Sequence, residues 1–339
     1  MRNFTENKFT MRIAVVYSLP TRRAIASPFI ATDEDTKASA EEVGSALRSK
    51  GMDVVLVPVS QDSIGKIRDI SADMIFNLLE WDGADGALLV RAMETLDLTG
   101  IPYTGSSKEA LAVCNDKFRM KASFDRFQLP SPRWQKFETG HEAVREDFRY
   151  PVIVKLGFSH CSVGLTKDAV VTDQERLIDV ITDRIHEFGQ PVYAEEFIVG
   201  RELQVTVLDR ADGIRVLPPA EIFFTTSGVH AFLTYPSRWD ETHADYHESS
   251  VGLAVLEPQL ARAITMTSIQ AFEDLGLAGY ARLDMRLDGQ DIYILEANAN
   301  PGLGDSADYG MTVSYQAEGL TFADFILEIV SSCRRRTKR

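Results

Sequence analysis

Cysteine is scarce in this chain, and long hydrophobic runs are missing. The 339 residues include 3 cysteines, Cys114, Cys161 and Cys333, and no two of them are close in sequence. This excludes a disulfide framework and a zinc-finger pattern, and it fits a reducing compartment. No apolar run approaches the roughly 18 residues that span a bilayer, and the N-terminal MRNFTENKFT is too polar for a signal sequence. We therefore expect a cytoplasmic protein without a membrane segment.

Positive charge is also in short supply. The chain has 36 Lys and Arg residues against 50 Asp and Glu residues, which gives a net charge of -14. This balance argues against a broad nucleic-acid surface, although a local basic pocket for phosphates remains compatible with it. The basic C-terminal RRRTKR is interpreted as a solvated tail that complements the dipole of the preceding helix. We expect small-molecule partners and no nucleic acid.

Strands alternate with helices in the first third of the chain. The apolar segments 11–19, 53–59 and 73–79 read as buried strands, with helices at 35–50 and around 86–97. This alternation predicts an open parallel sheet.

The rest of the chain reads as a mixture of helices and antiparallel strands. A helical stretch within NDKFRMKASFDRFQLPSP ends at Pro130 and Pro132. The remaining expected elements are strand, glycine-containing turn and strand within 150–165, a helix at 173–188, strands at 191–200 and from 201, an acidic loop at 236–250, a helix at 257–275, a hairpin at 281–302 and a helix from 321.

Oxygen-bearing side chains converge on the predicted hairpin, ARLDMRLDGQDIYILEANANPG. Alternating apolar residues flank Asp288-Gly289, which predicts a tight turn. Because side chains alternate along a strand, Glu296 and Asn298 share a face, and the fold-back brings Asp284 almost opposite Glu296. Such hard oxygen ligands suit Mg²⁺ bridging carboxylates to nucleotide phosphates. The polar outer face of an ordinary hairpin would give the same pattern.

The segment GFSHCSVG, residues 157–164, is a candidate phosphate loop. Its small residues offer backbone N–H groups that suit phosphate oxygens, although ordinary hairpin turns use the same residues. Lys155 ends the apolar run PVIVK beside this loop, where a phosphate would offset the desolvation of its charge. The alternative is a lysine that extends its ammonium from a strand end into solvent.

The segment AEEF at 194–197, followed by GRE at 200–202, suits another part of a nucleotide. An extended linker presents backbone groups to an adenine edge, and a nearby carboxylate accepts hydrogen bonds from ribose hydroxyls. The alternative interpretation of the Glu195-Glu196 doublet is a solvated strand face.

The order of these motifs carries a resemblance that extends from about residue 73 to 325. The matching segments are DGADG, TLDLTGIPYTGS, NDKFRMK, PVIVKLGFSHCSVG, YAEEFIVGREL, ARLDMRL and ILEANANPG. Through them the sequence resembles the ATP-grasp superfamily and, within it, the D-alanine:D-alanine ligase group. The resemblance implies an α/β (α+β) fold of three domains: an N-terminal parallel-sheet domain at 11–112 and two ATP-grasp subdomains at 113–199 and 200–335, which clasp ATP. It also implies a homodimer.

The resemblance implies roles for individual residues. Those on the ATP side are the phosphate residues Lys117, Lys155, Ser162 and Val163, the adenine-side residues Glu195 or Glu196 and Phe197, and the ribose carboxylate Glu202. The implied ligands of Mg²⁺, or of Mn²⁺ in its place, are Asp284, Glu296 and Asn298. Arg282 and the backbone of Gly302 match groups that stabilise an oxyanion. Ser162 belongs to the catalytic loop, and Arg238 and Trp239 occupy the place of a mobile Lys-Tyr pair that closes over the γ-phosphate. A carboxylate partner on a neighbouring strand is the alternative for Arg282.

Departures from the family pattern concentrate where D-alanine would bind. YSLPTRRAIASPF stands where the family has a glycine-rich segment with an ammonium-binding glutamate, and Leu79 stands where a histidine is expected. Cys161 replaces the first serine of the loop. Ala307 replaces a serine that grips a substrate carboxylate, with Ser306 one residue earlier.

We therefore expect a carboxylate-amine ligase that works through an acyl phosphate on amino-acid-type substrates other than two D-alanines. Glu80, Trp81 and Asp82 are candidates to replace the missing ammonium-binding groups, since an anion near an aromatic face suits a cationic amine. Three alternatives stay open: an imine-forming ligase that condenses an amino acid with a cyclohexenone, an authentic D-alanine:D-alanine ligase, and a non-catalytic nucleotide-binding regulator. The retained Arg282 and metal-ligand set weigh against the regulator.

Overall fold

A three-stranded parallel sheet opens the computed structural model, which describes residues 10–81 and 83–337. Its strands are β1 (Arg12–Ser18), β2 (Asp53–Val59) and β3 (Met74–Leu78), in the order β2-β1-β3. The parallel sheet predicted from strand-helix alternation is confirmed. The helices of this part are α1 (Arg22–Ile25), α2 (Ala31–Ser49), α3 (Gly86–Asp97), α4 (Lys108–Cys114) and α5 (Lys117–Phe127). Helix α2 begins four residues before the predicted start at residue 35.

A four-stranded antiparallel sheet follows. Its strands are β4 (Trp134–Phe137), β5 (Val152–Leu156), β6 (Val170–Val171) and β7 (Val192–Glu196), in the order β4-β7-β5-β6, with α6 (Gln174–Phe188) packed against them. The strand expected directly after GFSHCSVG is wrong, because the chain stays irregular there and β6 starts only at Val170. Helix α6 lies where it was predicted, since Asp173 caps its start and Gly189 ends it with φ +60°.

The third sheet has six strands and carries the predicted hairpin. They are β8 (Arg201–Arg210), β9 (Gly213–Val216), β10 (Ala220–Phe224), β11 (Ser249–Leu253), β12 (Tyr280–Asp288) and β13 (Asp291–Asn298). The order is β11-β10-β8-β12-β13, and β9 pairs with β8. The accompanying helices are α7 (Tyr235–Trp239), α8 (Pro258–Asp274), α9 (Gly310–Ala317) and α10 (Phe322–Arg336).

The expectation of a plain loop at 236–250 is wrong. Helix α7, a 3-10 turn at Ala244–His247 and the start of β11 lie in this segment. Thr234 accepts a hydrogen bond from the Ser237 N–H, and Pro236 occupies the first turn, where its missing N–H costs nothing. Local capping therefore forms a helix that the acidic composition concealed.

The hydrophobic cores do not follow the sequence ranges strictly. One core consists of residues of the second sheet and α6 together with Phe148 of the loop before β5, whereas two others combine side chains of the first and third sheets. Met120 and Phe124 of α5 fall in the predicted central range, yet they pack in one core with Leu283 and Ala297. The domain boundaries at 112/113 and 199/200 stay a prediction.

The C-terminal basic residues belong partly to a helix. Residues 334–336 form the last turn of α10 and are described, whereas Lys338 and Arg339 lie outside the described residues. Arg336 Nη1 donates to the carbonyl oxygen of Gly105 at 2.9 Å, so this arginine joins α10 to the loop before α4. No helix within residues 10–81 and 83–337 is both long enough and apolar enough to cross a membrane.

Candidate active site

The hairpin of β12 and β13 has the geometry expected from its alternation. Asp284 pairs with Glu296 in the antiparallel register, and Arg282 pairs with Asn298. Gly289 forms the turn with φ +59°, a backbone conformation that glycine adopts without strain. The two carboxylates and the amide therefore lie on one face, as the sequence predicts.

Each of these carboxylates is neutralised by a basic side chain. Asp284 accepts two bonds from Arg282, at 2.7 and 2.9 Å, and a third from Asn298 Nδ2 at 3.2 Å. Arg282 thus pairs within its own strand, and the alternative of a partner on a neighbouring strand is wrong. Glu296 accepts from Lys117 Nζ. Burial alone would raise the pKa of Glu296, but Lys117 and His160 hold this pKa well below its usual value.

These groups fit a magnesium ion that is shared with phosphates. Asp284, Glu296 and Asn298 offer two carboxylates and an amide, and within the described ranges no three His, Cys, Asp or Glu side chains form a metal cluster. Mg²⁺ typically takes one or two carboxylates and completes its shell with water and phosphate oxygens. The donor set therefore suits an ion held jointly by protein and nucleotide.

The candidate phosphate loop has an unusual backbone. Cys161 and Ser162 have φ of +55° and +61°, although neither is glycine. Such conformations cost about 1 to 3 kcal/mol each and cluster at ligand-binding sites. Ser162 Oγ donates to the Leu233 carbonyl at 3.3 Å, and the indole N–H of Trp239 donates to the Cys161 carbonyl at 3.2 Å. The loop and helix α7 are thereby joined.

Strand β7 separates the two glutamates of the adenine-side motif, since successive side chains point to opposite faces. Glu195 Oε2 lies 2.5 Å from Lys121 Nζ, and Glu195 Oε1 lies 2.7 Å from Lys155 Nζ. Burial raises the pKa of Glu195, but the two lysines lower it further than burial raises it. Glu196 instead forms an ion pair with Arg133, whose Nη1 lies 3.2 Å from Glu196 Oε1. Both glutamates lie inside a strand, so the extended linker begins only after them.

Glu202 is held by an arginine that sequence reasoning missed. Arg286 is buried and contacts Glu202 Oε2 at 2.6 Å, and its Nη1 donates to the Ile198 carbonyl at 3.0 Å. Its guanidinium also lies 4.8 Å from the ring centre of Phe197. The carboxylate and the aromatic ring are fixed by one cation.

The predicted residues converge on a cavity of about 740 Å³. Those in its wall are Lys155, Ser162, Glu195, Glu196, Phe197, Glu202, Arg238, Trp239, Arg282, Asp284, Glu296, Asn298 and Gly302. Lys117 does not line the cavity itself but donates a hydrogen bond to Glu296, which does. Val163 does not line the cavity, because its N–H closes a turn on the His160 carbonyl and its side chain packs in the core of the second sheet. Apolar side chains that suit an adenine ring, Ile153, Leu165, Phe197 and Phe232, pack together in the wall.

Another part of the cavity wall comes from the N-terminal part of the chain. Its residues are Thr32, Asp35, Thr36 and Ser39 of α2, together with Leu78 and Glu80. Ser306 also lines the cavity. The prediction that Trp81 offers an aromatic face to a ligand is wrong. This side chain is buried in the core, and its indole N–H donates to the Leu19 carbonyl at 3.0 Å. Asp82 lies outside the described residues.

Some side chains of the site gave no clear sequence signal. Lys121 lies in the same motif as Lys117, and its helical position one turn later was the available hint. His160 Nδ1 lies 3.7 Å from Glu296, and the histidine was visible only as part of the loop. Burial raises the pKa of Cys161 to about 11, so this cysteine is a neutral thiol rather than a reactive thiolate.

Known proteins resemble this chain along most of its length. The family model described as "D-ala D-ala ligase C-terminus" matches residues 123–331. D-alanine:D-alanine ligase of Desulforudis audaxviator is 30% identical, with 88% of this chain and 93% of the relative covered. The enzyme of that name from Bordetella avium is 30% identical, with 87% and 89% covered.

Solved structures give the same result for the fold. D-alanine:D-alanine ligase from Bacillus anthracis complexed with ATP aligns with a TM-score of 0.73 at 21% identity, covering 97% of this chain and 99% of the other. The D-Ala:D-Ser ligase from Enterococcus faecalis aligns with a TM-score of 0.73 at 19% identity, covering 96% and 99%. These alignments confirm the predicted α/β ATP-grasp fold with its N-terminal parallel sheet.

Proposed function

The chain belongs to the D-alanine:D-alanine ligase family and is an ATP-dependent ligase that forms a carbon–nitrogen bond, and from this premise we propose that it joins amino-acid-type substrates other than two D-alanines. ADP and phosphate are the other products. The observation that supports different substrates is the contrast between the two sides of the cavity. The ATP side has nearly the full set of expected residues, whereas the part of the wall that comes from the N-terminal segment is built from polar side chains of α2.

The residues of the ATP side form a site for a nucleotide. Phe197 and Phe232, whose rings pack edge-on with their centres 5.7 Å apart, supply an apolar surface for adenine. Glu202, oriented by Arg286, accepts hydrogen bonds from the ribose hydroxyls. Lys155 faces the phosphates, and binding them requires it to exchange its contact with Glu195 for a phosphate oxygen. Bound ATP supplies the γ-phosphate that activates a substrate carboxylate as an acyl phosphate.

Asp284, Glu296 and Asn298 would hold Mg²⁺, or Mn²⁺ in its place, through their oxygen atoms. The ion would neutralise phosphate charge during phosphoryl transfer. Arg282 and Lys117 neutralise the two carboxylates before the ion is present. This pairing keeps two acidic groups stable in a partly buried site.

Arg282 and the backbone N–H of Gly302 line the cavity and are assigned to the oxyanion that forms when an amine attacks the activated carbonyl. Arg238 and Trp239 of α7 cover the loop that would receive the γ-phosphate. The ring of Phe29 packs edge-on against Tyr235 at 4.7 Å, so α7 is braced by the N-terminal part of the molecule. A closed α7 limits hydrolysis of the acyl phosphate by water.

The test is phosphate release from Mg-ATP with D- and L-amino acids supplied singly and in pairs, followed by mass spectrometry of the products. Phosphate release only with a pair other than two D-alanines is expected, together with an amide product. D-alanyl-D-alanine formed from D-alanine alone would contradict the proposed substrates. The names of the relatives favour this second candidate, an authentic D-alanine:D-alanine ligase.

The role of Arg282 is tested with the active substrate pair. Arg282→Lys keeps the charge but loses the planar two-pronged contact, and we expect kcat to fall by about 100-fold to 1,000-fold. The matched control is Arg215→Lys, since Arg215 pairs with Glu318 away from the cavity wall. Equal kcat values in both variants would show that Arg282 does not stabilise the transition state.

A further inference from the structure

The two carboxylate oxygens of Glu296 have unequal surroundings. Lys117 Nζ donates to Oε1, and His160 Nδ1 lies 3.7 Å from the same oxygen. Within residues 10–81 and 83–337, no hydrogen bond or ion pair reaches Oε2. Glu296 also lines the large cavity. Two basic groups therefore lie on one oxygen of this carboxylate, and the other oxygen is left for a ligand in the cavity.

His160 belongs to the candidate phosphate loop, residues 157–164, and its side chain is 14% exposed. Its Nε2 is buried and has no hydrogen-bond partner in the described part of the chain, which carries a free-energy cost. The Val163 N–H closes a turn on the His160 carbonyl, and the two residues after His160 have positive φ. The loop backbone thus holds the imidazole beside Glu296 at a cost that packing alone does not explain.

The imidazole is better suited to act on the carboxylate than on a metal ion. Mg²⁺ prefers oxygen ligands, so a ring nitrogen near the site is a poor ligand for it. Groups behind a metal ligand commonly orient that ligand through a hydrogen bond. Because an N–H···O bond spans about 2.7 to 3.2 Å, a loop shift of less than about 1 Å brings His160 Nδ1 into bonding range of Glu296 Oε1.

We propose that His160 is a positioning residue for the metal ion, which acts from the phosphate loop on Oε1 of Glu296 and keeps Oε2 turned toward the ion. This inference rests on the proposed ligase function, since the ion is the one assigned to Asp284, Glu296 and Asn298. It extends the metal site from the hairpin to a loop in another part of the chain.

The experiment measures Mn²⁺ binding by electron paramagnetic resonance in the presence of a saturating, non-hydrolysable ATP analogue. A titration without protein corrects for ions bound by the nucleotide alone. His160→Ala should raise the Kd for Mn²⁺ about 10-fold to 100-fold. His160→Asn should stay close to wild type, because its amide N–H₂ occupies the place of Nδ1. The matched control is His186→Ala, since His186 is an exposed histidine of α6 that does not line the cavity.

The Kd for the analogue itself, measured by calorimetry without metal, should be the same in wild type and all variants, which also shows that they are folded. An unchanged Kd for Mn²⁺ in His160→Ala overturns the inference while the ligase function stands. Equal losses in His160→Ala and His160→Asn overturn it too, because the ring volume and not the Nδ1 contact would then matter. Weaker binding of the analogue to His160→Ala also overturns it, since His160 would then act on the nucleotide. If the wild-type protein binds no Mn²⁺, the metal site of the proposed function fails and this inference fails with it.

Discussion

Replacing Glu195 by glutamine removes the anion that neutralises two lysines in the interior. The side chains of Lys121 and Glu195 are 0% and 1% exposed, and Lys155 contacts the second carboxylate oxygen. Glutamine has a similar shape, but it carries no charge and turns one oxygen into an N–H₂ group that faces an ammonium. The variant therefore leaves Lys121 charged, buried and unpaired, or forces it to release its proton.

The magnitude follows from the burial of the pair. Removing one partner of a buried ion pair costs about 3 to 5 kcal/mol of unfolding free energy. The pH dependence has a definite sign. Burial already lowers the pKa of Lys121, and Glu195 raises it, so the variant lowers it further. A lysine whose pKa is lower in the folded state binds fewer protons there, and the free energy of unfolding rises with pH. The deficit should shrink by up to about 1.4 kcal/mol per pH unit as the pH rises toward the wild-type pKa of Lys121.

The assay is guanidinium denaturation of wild type and variant at neutral and alkaline pH, with hydrogen exchange of residues 192–196 as a local readout. The matched control is Glu196→Gln. Its partners Arg133 and Arg149 are 43% and 70% exposed, so they stay hydrated when the charge is lost, and the cost should be about 1 kcal/mol or less. Equal losses in the two variants, or a Glu195→Gln deficit that grows with pH, would refute the reasoning.

Two further changes test the packing and the nucleotide side. A Cβ on Gly200 would lie 1.7 Å from the Leu287 carbonyl oxygen, so Gly200→Ala must push β8 away from β12 and should cost at least about 1 to 3 kcal/mol in denaturation experiments. Gly65→Ala, where a Cβ meets nothing within 4 Å, is the control, and equal midpoints for both variants would contradict the prediction. Arg286→Lys cannot keep all of its contacts with Glu202 and two carbonyls, so KM for ATP should rise about tenfold while kcat changes little. An ATP titration that gives the wild-type KM would separate Arg286 from nucleotide binding.

The hairpin shows how far local pattern can predict a site. Its register, with Asp284 opposite Glu296, follows from the period-two alternation of strands and from a two-residue turn, and both are properties of neighbouring residues. The motifs around Lys155 and Ser162 were found for the same reason, since the end of strand β5 and the loop that follows it are contiguous in the chain. The family resemblance then predicted which part of a nucleotide each motif contacts.

Other residues could be placed only by the folded molecule. Trp81 looks like a ligand-binding aromatic next to an acidic residue, but packing turns its ring into the core. Asp35 lies in a polar stretch of α2 with no local signal. It lines the cavity near Gly302 only because side chains of α2 and of the first and third sheets pack in one core.

The sequence by itself determined most of the strand and helix pattern, the hairpin face and most of the candidate residues that line the cavity, because these depend on periodicity and short spacing. The tertiary structure alone decided which charges meet, as in the contacts of Lys121 with Glu195 and of Arg286 with Glu202. Such pairs join segments far apart in the chain, and their geometry depends on how whole sheets and helices pack. Local periodicity contains no information about that packing.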